Sequence, residues 1–135
     1  MKFKTLLTIF AVIAMGDGVV AILAPGPFLN AIWLNRAGPE AYLVVQGWGS
    51  CLIAFSVIAW GAKSLTDSAS RQLVATGFFT YHMIATILWL VDSLSRGWTP
   101  FSAATFVGLV LFTLGFGYFR FLTPRVGSSD LNVPA

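Results

Sequence analysis

The stretch FKTLLTIFAVIAMGDGVVAILA, residues 3–24, decides the fold of this chain. It is apolar over about the 20 residues that an α-helix needs to cross the hydrocarbon core of a bilayer. One acidic residue, Asp17, lies inside it between two glycines. Because an ionised carboxylate at membrane depth is costly, Asp17 requires a partner, a proton or a function of its own.

Three further apolar stretches of similar length follow, at residues 41–62, 73–91 and 101–122. The chain is 57% hydrophobic and only 10% charged, whereas an ordinary soluble domain is roughly a quarter charged. Such a composition cannot cover a surface that faces water. The sequence therefore predicts an all-α polytopic membrane protein, a four-transmembrane-helix bundle forming one domain over residues 1–122.

The first segment also resembles a secretory signal peptide. Lys2 and Lys4 precede the apolar stretch, and Ala21 and Ala24 resemble the small residues of a cleavage site. A cut at that site would leave Pro25 as the next residue, which disfavours cleavage. We expect the segment to be retained as the first helix.

The basic residues are distributed unevenly over the segments between the helices. Two of them, Arg36 and Arg96, lie in the first and third loops, and the other six lie at the N-terminus, in the second loop and after the fourth helix: Lys2, Lys4, Lys63, Arg71, Arg120 and Arg125. The positive-inside rule therefore predicts that both termini, including the tail of residues 123–135, are cytoplasmic.

The first external loop, Pro25–Glu40, contains apolar residues at helical spacing: Phe28, Leu29, Ile32 and Trp33. This spacing predicts a short helix at the membrane interface. The Pro-Gly-Pro sequence at residues 25–27 is expected to end the first transmembrane helix.

Counting helical rise from the basic residues places three polar residues at one depth. Asp17 is 13 positions after Lys4, and His82 is 11 positions after Arg71. Ser50, 13 positions before Lys63, falls within roughly 3 Å of the same level. We therefore predict a hydrogen-bonded pair of Asp17 and His82, which would satisfy two ionisable groups inside the membrane.

Polar residues continue outward from this level. Gln46 lies about one turn from Ser50, and Thr86 lies one turn from His82. On the third predicted helix a polar and aromatic stripe results: Phe78, His82, Thr86, Trp89 and Ser93. This stripe has two interpretations: the lining of a vestibule, or an interhelical seam of satisfied hydrogen bonds.

Small residues at the same level favour close helix packing. Ala14 and Gly18, and likewise Ser50 and Ala54, are small residues four positions apart, the spacing of membrane helix contacts. Three further glycines also permit close approach: Gly47, Gly49 and Gly108.

The residues give little support for catalysis. One cysteine, Cys51, allows no intramolecular disulfide, and its level near His82 is matched by no nucleophile motif. No metal site or cofactor is predicted, and no basic patch of the kind that binds nucleic acid is found. Axial ligation of haem or chlorin by His82, and binding of a quinone, are the cofactor alternatives left open.

Two stretches carry a resemblance to a known group of proteins. The first helix contains glycines and ends in prolines, GDGVVAILAPGP at residues 16–27, and the second helix is glycine-rich, QGWGSCLIAF at residues 46–55. With the chain length and four spans, these features resemble the small four-helix DoxX-like integral membrane proteins. The resemblance implies an accessory subunit of a membrane complex and carries no functional residue onto this chain.

Two functions are consistent with these observations. The first is a non-catalytic accessory or scaffold subunit of a larger membrane complex, whose partners are the lipid bilayer and other membrane subunits. The second is a protein that binds a lipid-like, quinone-like or cationic molecule, or that couples transport to protons. In the second case the intramembrane site would consist of Asp17, His82, Ser50, Gln46 and Thr86.

Overall fold

The computed structural model describes residues 2–33 and 41–122 of the chain. Its elements are α1 (Phe3–Leu23), α2 (Pro25–Trp33), α3 (Tyr42–Ala62), α4 (Ser68–Arg96) and α5 (Pro100–Gly117), followed by a π-helical turn at Tyr118–Leu122. The described part of the chain contains no strand. The predicted loop segment 34–40 and the tail 123–135 lie outside the described residues.

Four of these helices, α1, α3, α4 and α5 with its π-helical turn, are long and apolar enough to cross a membrane. The predicted all-α four-helix bundle is therefore confirmed, and the chain is a multi-pass membrane protein by helix length and composition. The start of α1 and the end of α5 lie together, because the rings of Phe3 and Phe119 are 5.1 Å apart. Which side of the membrane this end faces stays a prediction.

The bundle consists of two close helix pairs, α1 with α3 and α4 with α5. The α1–α3 pair is closest at two glycines. A Cβ atom on Gly18 would lie 2.7 Å from the carbonyl oxygen of Gly49, and one on Gly49 would lie 2.8 Å from that of Gly18. Such an approach of two backbones is open only to glycine at both positions.

Two hydrogen bonds between side chain and backbone flank this glycine contact. The Ser56 hydroxyl donates to the carbonyl oxygen of Ala11 at 2.7 Å, and Nε2 of Gln46 donates to that of Ile22 at 3.1 Å. A helix carbonyl can accept a second hydrogen bond without leaving its own ladder. The α1–α3 interface is thus held by backbone contact in its centre and by polar contacts on either side.

Of the small residues expected to mediate packing, only some do so. Gly18 and Gly49 form the contact, and Ala14 is buried on the same face of α1. Ser50 and Ala54 are exposed, and open space surrounds the Cβ positions of Gly47 and Gly108. The expectation that these four residues pack closely is wrong. For the three residues of α3 the reason is the rotation of the helix, which directs Gly49 and Ser56 toward α1 instead.

An aromatic cluster joins the two pairs. Phe10 of α1 contacts Phe78 of α4 at 4.8 Å and Phe112 of α5 at 5.4 Å between ring centroids, all in edge-to-face geometry. Edge-to-face packing of aromatic rings contributes about 0.5–1.5 kcal/mol per pair beyond area burial. Phe116, which has no exposed surface, completes the cluster from α5.

The short helix α2 begins at Pro25, directly after a turn at Ala24, so both prolines lie in its first turn where missing N–H groups are tolerated. Its apolar residues Phe28 and Leu29 are buried against the ends of the transmembrane helices. The predicted short helix is confirmed, and it covers the end of the bundle opposite the start of α1.

Helix α4 is longer than the predicted span of residues 73–91, by five residues at each end. The Asp67 carboxylate accepts a hydrogen bond from the backbone N–H of Ser70 at 2.7 Å and so begins the helix earlier. The hydrogen bonds from Ser70 hold the pKa of Asp67 below its ordinary value, which keeps a negative charge at the positive end of the helix dipole.

Helix α5 begins with a reciprocal cap. The Thr99 hydroxyl accepts a hydrogen bond from the Ser102 N–H, and the Ser102 hydroxyl accepts one from the Thr99 N–H. The Thr99 hydroxyl also donates to the carbonyl oxygen of Ala31 at 3.1 Å. The Thr99 side chain therefore caps the N-terminus of α5 and also links it to α2 by a hydrogen bond.

We expect Gly18→Ala and Gly49→Ala each to lower the free energy of unfolding by roughly 1–3 kcal/mol, because the added methyl group displaces a backbone oxygen. Thermal unfolding in detergent, followed by circular dichroism, measures the effect. Gly16→Ala and Gly47→Ala are matched controls, since nothing lies within 4 Å of either Cβ position. Equal destabilisation by all four variants would contradict the proposed contact.

Candidate functional site

The polar stripe of α4 faces α5. The Thr86 hydroxyl donates to the carbonyl oxygen of His82 at 2.7 Å and lies 3.2 Å from the hydroxyl of Thr113. One turn further, Nε1 of Trp89 donates to the carbonyl oxygen of Ser102 at 3.0 Å. Ser93 is buried at the end of the stripe. These contacts match the interpretation as an interhelical seam. Trp89 also lines a groove along α4, so the interpretation as a vestibule stays a prediction.

His82 is enclosed by aromatic rings and is only 1% exposed. The centroid of its ring lies 5.1 Å from that of Phe10, 5.3 Å from Phe112 and 5.4 Å from Phe116. Its Nδ1 is 2.7 Å from the carbonyl oxygen of Phe78. Because a carbonyl oxygen only accepts, Nδ1 carries the proton in this arrangement, and the imidazole serves as a packed ring with one internal hydrogen bond.

Asp17 does not lie beside His82. The α1 residue that meets the imidazole is Phe10, and Asp17 follows it by seven residues, about 10 Å along the helix axis. Among the described residues, Asp17 makes no hydrogen bond and no ion pair, so the predicted Asp17–His82 pair is not formed in this structure.

The prediction of equal depth is wrong, because it assumes that residues at similar distances in sequence from Lys4 and from Arg71 lie at the same depth in the membrane. Phe10 is six positions after Lys4, yet it contacts His82, which is 11 positions after Arg71. The two helices are therefore offset by about five residues at the aromatic cluster. A count from charged residues includes neither the tilt of the helices nor the fact that α4 begins at Ser68.

The remaining members of the predicted site lie in separate places. Gln46 belongs to the α1–α3 interface through its hydrogen bond to Ile22. Ser50 is exposed, and its hydroxyl donates within α3 to the carbonyl oxygen of Gln46 at 3.0 Å. Thr86 belongs to the α4–α5 seam. The structure thus brings His82 and Thr86 together, but it does not assemble the five predicted residues into one site.

Sequence reasoning missed the buried hydrogen bond of Ser56. The sequence contains the signal for this contact, because Ser56 follows Gly49 by seven residues and hence lies on the same face of α3. Counted depth and the spacing to Ala54 favour Ser50 instead. A periodicity argument applied to the glycine face would have identified Ser56.

Asp17 lies on the side of α1 that faces α5. It follows Phe10 by seven residues and Leu6 by eleven, which are both near-integral numbers of helical turns. Leu6 contacts α5 directly, since a Cβ on Gly115 would lie 3.1 Å from its side chain. Helical spacing therefore places Asp17 on the same face of α1 as Leu6 and Phe10, further from the start of the helix.

Two contacts lie on either side of Asp17 along the bundle. Leu6 contacts Gly115 near the start of α1, and Phe28 of α2 contacts Phe101 of α5 at the other end, 5.9 Å between centroids. Gly108 precedes Gly115 by seven residues and hence lies on the same face of α5, and nothing lies within 4 Å of its Cβ position. From these positions we infer an opening beside Asp17 and Gly108, which we call the α1–α5 window.

A separate groove of about 390 Å³ runs along α4 toward the α2 end. Its lining is mostly apolar and aromatic and includes Trp48, Tyr81 and Leu88. Asp92, in an ion pair with Arg96 at 2.6 Å, supplies the one carboxylate of its lining. The residues predicted to form the intramembrane site do not line this groove.

The chemistry available in the described ranges is limited. No group of three His, Cys, Asp or Glu side chains in residues 2–33 and 41–122 is placed to hold a metal ion. Cys51 is exposed on α3, and His82 is enclosed. Asp17 is half-buried and has no partner among the described residues.

Comparison with protein-family models, curated proteins and solved structures finds no match to this chain. The resemblance to DoxX-like proteins accordingly stays a prediction.

We expect haemin added to the detergent-solubilised protein to show no His82-dependent ligation, because the imidazole is enclosed by rings that a haem would have to displace. Absorbance titration of the wild type and His82→Phe should give the same Soret spectrum. A Soret shift in the wild type that His82→Phe abolishes would contradict this expectation and support the axial-ligand alternative.

Proposed function

We propose that this chain is a non-catalytic accessory or scaffold subunit of a larger membrane complex, and that Asp17 is recognised by a donor group of a neighbouring subunit. The observation that carries the proposal is a carboxyl group inside a transmembrane helix with no partner among the described residues. Ionisable residues at membrane depth almost always pair with another group.

The α1–α5 window supports this interpretation. Asp17 is half-buried, so its carboxyl group is neither sealed in the bundle nor fully directed at lipid. A side chain that enters from an adjacent helix reaches it through the opening beside Gly108. A Lys, Arg or amide donor would satisfy the carboxyl group there, as polar contacts between membrane helices do.

The outer surfaces agree with a role in assembly. Helices α4 and α5 bury few of their residues within the chain, and their outward side chains are large and apolar, for example Leu88, Leu111 and Leu114. Lipid and protein both cover such surfaces equally well. The apolar faces therefore permit a partner, and Asp17 supplies the specificity.

The alternative, an intramembrane binding or proton-linked site, loses four of its five predicted residues, including Thr86 of the α4–α5 seam. His82 is enclosed, Gln46 is engaged between α1 and α3, and Ser50 lies on the outer face. What remains is Asp17 at the window, which would attract a cationic molecule instead of a partner helix. A substitution of Asp17 separates the two functions.

We expect Asp17→Leu to release the partner and Asp17→Asn to retain it, because asparagine still hydrogen-bonds to a donor. The loss of one such contact costs roughly 1–2 kcal/mol, or about tenfold in affinity. Native mass spectrometry of the complex, extracted from its own membrane in mild detergent, reports the assembled fraction. Thermal unfolding shows whether Asp17→Leu still folds.

Asp92→Leu is the matched control, since it removes a carboxyl group at the α2 end of α4, away from the window. A wild-type protein that is extracted as a monomer, or an Asp17→Leu variant that keeps its partner, would contradict the proposal. A small bound cation that is lost from both Asp17 variants would instead establish the alternative.

A further inference from the structure

A second cavity, of about 340 Å³, lies at the end of the bundle where α1 begins and the π-helical turn follows α5. Three cationic side chains, one amide and two aromatic rings line it: Lys2, Lys4, Arg71, Gln72, Phe3 and Phe119. Its volume falls within the range of about 300–1,000 Å³ typical of small-ligand sites. The proposed accessory function does not involve this cavity.

The cations of this cavity differ from the other basic residues of the described chain. Nζ of Lys63 lies 3.1 Å from the centroid of the Trp60 ring, and the Arg120 guanidinium lies over Phe121. Arg96 is paired with Asp92 in the only ion pair within residues 2–33 and 41–122. Lys2 and Lys4 are exposed and have no carboxylate within ion-pair distance in those ranges.

Arg71 is held in place for a ligand. Its Nε donates to the carbonyl oxygen of Leu65 at 2.8 Å, which anchors one edge of the guanidinium plane and leaves the terminal nitrogens for another acceptor. The neighbouring acid, Asp67, accepts a hydrogen bond from Ser70. Besides the hydrogen bonds from Ser70, the Arg71 charge contributes to the lowered pKa of Asp67, but the two charged side chains are not within ion-pair distance. A planar guanidinium suits phosphate oxygens in particular.

The start of α1 adds a further positive contribution. The N-terminal turn of α1, which begins at Phe3, has no side-chain hydrogen bond at its cap residue, Lys2. The free N–H groups and the helix dipole at such a terminus favour an anion. Two lysines, one arginine and a helix terminus therefore surround the same space.

The apolar wall of the cavity distinguishes a lipid from a free ion. Phe3 and Phe119 meet edge-to-face with centroids 5.1 Å apart, where the apolar spans of α1 and α5 begin and end. The cavity thus combines cationic side chains with two aromatic rings, as a site for a phospholipid with its charged headgroup and apolar acyl chains requires.

We propose that this cavity binds the phosphate group of an anionic phospholipid, with Lys2, Lys4 and Arg71 as its ligands and the acyl chains against Phe3 and Phe119. Basic pockets between transmembrane helices recognise anionic headgroups in this way. The site links the basic end of the bundle to one leaflet of the bilayer.

The test is native mass spectrometry of the full chain, purified in detergent with equal amounts of phosphatidylglycerol and phosphatidylcholine. The wild type should retain phosphatidylglycerol preferentially. Lys2→Gln/Lys4→Gln removes no described side-chain hydrogen bond, and it should lower that retention on the order of 20-fold, about fivefold for each cation.

Lys63→Gln/Arg120→Gln is the matched control, because it removes two charges at the same end of the bundle without altering the cavity. It should leave phosphatidylglycerol retention within about twofold. Equal losses in both double variants would overturn the proposal, since they would show attraction by net charge alone. Displacement of phosphatidylglycerol by inorganic phosphate, with no preference over phosphatidylcholine, would also overturn it in favour of a free-anion site.

Discussion

The contact of Gly18 with Gly49 is the constraint on which the rest of the bundle depends. It places the backbones of α1 and α3 so close that a methyl group on either residue would meet a carbonyl oxygen at 2.7–2.8 Å. That separation lets Ser56 and Gln46 reach the opposite backbone. One face of α1 packs against α3, so the adjacent face is the one that meets α4 and α5. Phe10 and Asp17 both lie on this adjacent face, with Asp17 further from the start of the helix.

The polar groups inside the spans then divide into two classes. Those of the α4–α5 seam are satisfied locally, as in the hydrogen bonds of Thr86 and Trp89. His82 belongs with them, because a single hydrogen bond and a shell of aromatic rings meet the needs of a neutral imidazole. Asp17 belongs to the other class: its helix directs it to an open boundary instead of a packed one. A polar group that the bundle does not satisfy is the natural point for recognition from outside.

The two proposals assign different ends of the molecule to different partners. The α1–α5 window offers a carboxyl group at membrane depth and suits a helix with a donor group. The cavity at Lys2, Lys4 and Arg71 offers positive charge at the membrane surface and suits an anionic headgroup. Neither depends on the other, because the cavity is at the beginning of α1 and Asp17 lies 13 residues beyond Lys4.

The sequence by itself determined the number of spans, their approximate bounds, the short helix after Pro25 and the stripe from Phe78 to Ser93, because apolar length and helical periodicity are local properties. It did not determine which residues meet. Asp17 and His82 matched in counted depth, yet an offset of about five residues between α1 and α4 separates them. The rotation and tilt of the packed helices likewise decide which residues of α3 meet α1. Gly49 forms the contact and Gly47 does not, and Ser56 is its polar neighbour in place of Ser50. These depend on the fit of two whole surfaces, which only the tertiary structure brings together.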